Sequence, residues 1–257
     1  MQAIWNIISS TASSELEFTG GGRTRALTIV RRHAVRGMRL TVDPRDATVR
    51  LTLGTHNSLR PALAWVAGKR TWVEGELARL PLAEPIVPDM VFALGNDKVR
   101  LDWNAEHPRL PRLVDVGERD TLNSAVHSLH VGGPRAQLST RVLRFLRNYA
   151  ASVIESETRS LAVANDLTIG KVGVGDPKSR WGSCTTSGDI RYSWRLILAP
   201  AFVRRATVAH EVAHRVHMDH SRAFHRCVAE LNGSDPTPAR QWLRAHGPAL
   251  HWFGRDG

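Results

Sequence analysis

Cysteine is scarce in this 257-residue chain: Cys184 and Cys227 stand in unrelated contexts without a CxxC spacing. That excludes a disulfide framework and fits a reducing compartment. Long apolar runs are missing too. The longest, such as Leu196 to Val203, fall far short of the roughly 20 residues that span a bilayer, so no membrane segment is expected. The opening residues carry neither a basic n-region nor a small-residue cleavage site, and a cytoplasmic location is the expectation. Lysine is nearly absent, with Lys69, Lys98, Lys171 and Lys178 set against a total of 35 basic residues. The formal charge of +11 is therefore an arginine excess. It is spread along the chain except between Arg23 and Arg50, where arginines face only Asp43 and Asp46. Solvated surface charge accounts for most of this, and nucleic acid stays a secondary candidate partner.

What is present is an ordinary globular composition, 42% hydrophobic and 23% charged, long enough for one large domain or two small ones. Residues 1–22 end in Gly20-Gly21-Gly22 and read as an extension that needs no order of its own. From Arg25 to Leu53, short β-branched stretches alternate with turns, and more strands are expected at 90–94, 99–103 and 113–116. Ser58 to Leu80 has the periodicity of one helix, flanked by Trp65 and Trp72. After a Gly-Gly-Pro break at 132–134 the texture changes. Leu138, Val142, Leu146, Tyr149, Val153 and Leu161 predict a long amphipathic helix over 138–165. Strands follow near 167–174 and 190–194, separated by a loop over 175–188, then helices over 200–217, 221–231 and after Pro236. Strands followed by helices, without βαβ alternation, predict an α+β fold, and no internal repeat is visible.

The chemistry sits in VAHEVAHRVHMDH, where His210-Glu211-Val212-Ala213-His214 forms an H-E-x-x-H motif. Two imidazoles four residues apart on a helix are roughly 6 Å apart along its axis and share one face, so both reach a single ion. Glu211 can then act as general base on a water held by that ion without binding the ion itself. A catalytic zinc takes three protein ligands and keeps one position open. His220, where the helical pattern stops and Ser221 can cap the next helix, supplies the third. Glu230 is the rival third ligand. His217 lies roughly 10 Å from His210 along an unbroken helix and is expected at the cleft wall or supporting the ligands from outside. Asp219 is a candidate for the same supporting role. Arg180 or the neighbouring backbone is expected at the mouth of the cleft; the alternative is a packed corner between two strands, with Gly182 allowing a positive φ. Tyr192, His217 and Arg180 are candidates to stabilise an oxyanion, and the strand 190–194 is a candidate to pair with an extended peptide.

Three motifs in order, SRWGSC (Ser179–Cys184), SWRLILAP (Ser193–Pro200) and HEVAH…HMDHSRAF (His210–Phe224), resemble the YgjP-like metallopeptidases. The likeness runs from about Arg25 to His246. It implies a strand-rich N-terminal region over 23–134 and a zincin-like catalytic domain over 135–257. It further implies one Zn2+ per chain on His210, His214 and His220, with Glu211 catalytic. Relatives with the same histidine pattern include WLM and SprT-like proteases that act near DNA. Asp219 and His225 depart from the family's usual Asn and Trp without removing a ligand. The expected function is hydrolysis of peptides or proteins. The alternatives are a zinc hydrolase of small phosphorylated substrates such as nucleotides, and a DNA-associated protease or binding module. Oligomeric state is not legible.

Overall fold

In the computed structural model, which describes residues 16–115 and 127–256, strands precede helices as an α+β chain. The described residues divide into two compact units, one ending at Leu82 and one from Ala83 to Asp256. The strands over 91–131, grouped in sequence with the N-terminal region, thus lie in the second unit.

The first unit begins with β1 (Glu17–Gly20) and β2 (Arg23–Arg32), followed by β3 (Met38–Val42) and β4 (Val49–Gly54). They form one sheet in the order β1-β2-β4-β3, with β2 and β4 parallel and the other pairs antiparallel. The glycine run is the turn of the β1–β2 hairpin, with Gly21 and Gly22 at φ 59° and 73°, rather than the end of an unstructured extension. Residues 1–15 of that expected extension lie outside the described residues. Alternation on β4 buries Val49, Leu51 and Leu53 completely. The single helix expected over 58–80 is two, α1 (Leu59–Ala67) and α2 (Arg70–Ala78). Gly68 caps α1, and Lys69 at φ −101°, ψ 11° leaves helical geometry. Glycine gives up about 1 kcal/mol of helix propensity against alanine, so the break is cheap there. Val66 of α1 and Val73 and Leu77 of α2 are all fully buried.

The second unit opens with β5 (Val91–Leu94), β6 (Asp97–Trp103), β7 (Arg112–Asp115) and β8 (His127–Val131) in the order β5-β6-β8-β7. Here β6 and β8 are parallel. This repeats the strand order and directions of the first sheet, although the sequence shows no repeat. Helix α3 (Leu138–Ala164) buries Leu138, Val142, Leu146, Ala150, Ile154, Thr158 and Ala162, one residue per turn. A small sheet, β9 (Val172–Gly175), β10 (Gly182–Cys184) and β11 (Ile190–Ser193), precedes α4 (Ala201–Ala213), α5 (Arg222–Asn232) and α6 (Thr237–Leu250). Arg195, 5% exposed, ties this unit together. It donates to both Asp176 carboxylate oxygens at 2.8 and 3.1 Å and to the Leu250 and Phe253 carbonyls, and it lies over the Trp194 ring. A buried guanidinium is tolerated only when so many of its donors are satisfied. No described helix is long and apolar enough to cross a membrane.

Candidate metal centre

The site is laid down by α4 and the turn that leaves it. Pro200, lacking an N–H, stands at the start, where that donor would have no helical partner. Val203, Ala206, Val208, Ala209, Val212 and Ala213 bury the helix. Regular helix ends at Ala213 rather than near His217, and His214 is its C-cap residue. The N–H groups of Val216 and His217 both fold back onto the Ala213 carbonyl. The chain then turns through Asp219, whose Oδ1 accepts from the Ser221 N–H at 3.0 Å, and Ser221 Oγ caps α5 by accepting from Phe224 N–H at 3.3 Å.

This turn returns His220 to the helix. The Nε2 atoms of His220 and His210 are 3.3 Å apart, and the donor atoms of His210, His214 and His220 all lie within 4.8 Å of one another. Two nitrogens bound at ~2.0–2.1 Å to one tetrahedral ion are about 3.3 Å apart, so the spacing fits a metal. Ring orientation fits as well. His214 stands nearly perpendicular to His210 and His220, at 86° and 84°. The buried Phe224 ring contacts all three imidazoles, with centroids at 4.9, 4.6 and 4.8 Å. Burial and the neighbouring imidazoles of His214 and His220 bring the His210 pKa down to about 4, which leaves the ring neutral with a free lone pair.

Glu211 is 4% exposed. Burial pushes its carboxyl up to about 7, with the Arg180 guanidinium pulling the other way. Gly182 is what makes room for it: a Cβ at that position would collide with the Glu211 carboxylate. The glycine is therefore needed for close approach and not for a positive φ, which it does not adopt.

The other candidates separate. Arg180 lines the cavity that His210 and Glu211 also line. His217 contributes through its backbone: its carbonyl lies 3.0 Å from His214 Nδ1, so that nitrogen carries the proton and Nε2 keeps its lone pair. Asp219 shapes the turn, and hydrogen bonds from Ser221 hold its carboxyl below the usual range. Tyr192 is fully buried with its hydroxyl 3.3 Å from Thr158 Oγ1, and it does not line the cavity. Burial drives its pKa upward. Glu230 is exposed on α5 and stands outside the histidine cluster. Strand β11 is the centre of its sheet, paired with β10 on one side and β9 on the other, so it has no edge to offer a peptide. The short strand β10, within the expected loop 175–188, is the edge strand beside Glu211. Sequence reasoning missed Phe224 as the ring on which the histidines rest; its place four residues after His220 and three after a capping serine was the available signal.

Three imidazoles and a buried glutamate thus meet on one H-E-x-x-H stretch and the turn that follows it. The profile of the family described as "YgjP-like, metallopeptidase domain" matches residues 36–246, and the chain belongs to that family. Neither curated proteins nor solved structures gave a match.

Proposed function

We propose that this chain is a zinc-dependent peptidase in which His210, His214 and His220 hold one zinc ion and Glu211 is the general base. The observation that carries the reading is the meeting of three imidazoles and a buried carboxylate at the end of α4, in a member of a metallopeptidase family. A zinc ion held by His210, His214 and His220 would supply Lewis-acid chemistry, activating water near neutral pH and polarising a substrate carbonyl. The protein's own groups do the rest. Glu211, buried beside the three imidazoles, takes the proton of the attacking water and returns it to the leaving amine. The His217 carbonyl fixes the tautomer of His214. The edge of β10 gives an extended peptide a backbone partner that runs past Glu211.

The test is Glu211→Gln. The variant is expected to match the parent in zinc content and in denaturant midpoint while losing hydrolysis of casein and peptide libraries. Hydrolysis of peptides at the parental rate by Glu211→Gln overturns the mechanism. Hydrolysis of nucleoside triphosphates but not peptides by the parent moves the protein to the other substrate class.

A further inference from the structure

Beside the histidine cluster lies a cavity of about 250 Å³ that His210 and Glu211 help to line. Thr207 and His225 also line it, and the rest of its walls are of two kinds. Trp181, Ala206, Val228 and Leu243 give it an apolar lining. Arg180 and Arg240, both exposed, bring two positive charges to it. Arg240 donates to Thr237 Oγ1 at 3.0 Å, and neither arginine is engaged in an ion pair among the described residues. Glu211 is the one carboxylate lining the cavity among the described residues.

These features restrict what fits. Sites that enclose a whole small molecule are ~300–1,000 Å³. A smaller, apolar cavity takes one side chain of a larger substrate, not an entire nucleotide. The guanidiniums call for a planar anion, which they bind through paired N–H donors, and a carboxylate matches that geometry. Trp181 is held in place by the fold itself. Its indole packs against α6 where Gly247 leaves space: a Cβ there would stand 2.7 Å from the ring. The wall is therefore preformed.

We propose that this cavity selects peptides in which an apolar residue flanking the scissile bond has a carboxylate next to it, the side chain entering the cavity and the carboxylate meeting Arg180 and Arg240. The carboxylate comes from an acidic side chain or from the peptide's own C terminus. This rests on the peptidase reading.

The test uses the zinc-loaded full chain and quenched peptides that carry Leu beside the cleavage site. The adjacent residue is Glu, Gln or Lys, and each peptide is made with a free or an amidated C terminus. Calorimetric binding of the same peptides to Glu211→Gln gives a readout that needs no turnover. The expected result is a KM and a Kd lower by about 10-fold or more for the carboxylate-bearing peptides, the range of a charge-assisted hydrogen bond. A preference for Glu over Gln with amidated ends assigns the side chain, and a preference for free over amidated ends assigns the C terminus. Arg240→Ala is expected to raise KM for the anionic peptides with little change in kcat, and Arg240→Glu to turn the preference toward Lys. Leu243→Ala is expected to shift the apolar preference from Leu to Phe. The proposal is overturned if neither kind of carboxylate lowers KM or Kd, or if Arg240→Glu leaves the discrimination unchanged. Selective binding by Glu211→Gln without cleavage by the parent keeps the cavity's assignment and removes the peptidase reading instead.

Discussion

Among the described residues of the second unit, two clusters of side chains of the metal-ligating kind are built differently. In His210, His214 and His220, the His214 ring stands across the other two, which are inclined to each other by 32° with centroids 5.3 Å apart, and all three contact Phe224. In Asp102, His107 and His130 the two imidazoles lie stacked, centroids 4.5 Å apart and planes 8° from parallel. Both Nε2 atoms there face the same carboxylate oxygen, at 3.1 and 3.4 Å. Spacing alone does not separate the clusters, because donors in each lie within 4.8 Å of one another. Orientation does. A metal sits in the plane of the imidazole that binds it, and two stacked rings cannot both point at one ion. In the second cluster a carboxylate already answers both nitrogens, whereas in the first two nitrogens face each other with only a proton or a cation able to lie between them.

The comparison breaks most sharply under ligand removal. His210→Ala, His214→Ala and His220→Ala are each expected to cost orders of magnitude in zinc affinity, while His107→Ala, His130→Ala, His217→Ala and Glu230→Ala retain near-stoichiometric zinc. Losing a group that only supports a ligand typically costs 10–100-fold. Elemental analysis after dialysis against micromolar zinc decides this, and thermal unfolding gives a second readout. Zinc at about 1,000 times its Kd is expected to add about 4 kcal/mol to the stability of the parent, an increment His220→Ala should lack.

Phe224→Ala sharpens the contrast in packing. The ring is fully buried, so its removal is expected to cost about 3–5 kcal/mol in denaturant unfolding, with looser zinc as a consequence. No corresponding ring contact to the Asp102 cluster is seen among the described residues. The smallest effect belongs to Asp102→Asn. Its side chain is 41% exposed, and even a fully charged pair so exposed contributes only about 0–1 kcal/mol, so stability should fall by no more than that, with zinc content unchanged.

The triad was legible in the sequence because its geometry is mostly local. Positions 210 and 214 share a helix face by periodicity alone, and Asp219 and Ser221 announce the turn that returns His220. The same holds for α3, whose apolar residues recur every turn. What escaped depends on pairing between distant segments or on backbone atoms. Gly182-Ser183-Cys184 is too short to show a two-residue period, and only its bonding to β11 makes it a strand. That β11 is central, with no edge for a peptide, follows from its partners Val172–Gly175, which nothing in Ile190–Ser193 specifies. The role of His217 lies in its carbonyl, which every residue possesses. The break at Gly68 was visible as a residue but overruled by the apolar periodicity on either side of it.

The most direct test of the account is anomalous diffraction at the zinc edge from crystals of the zinc-loaded chain. One peak per chain is expected, bound by Nε2 of His210, His214 and His220 with Glu211 alongside and unbound, and none between His107 and His130. A peak held by Glu230 in place of His220, or one held by Asp102 and its two histidines, would contradict it.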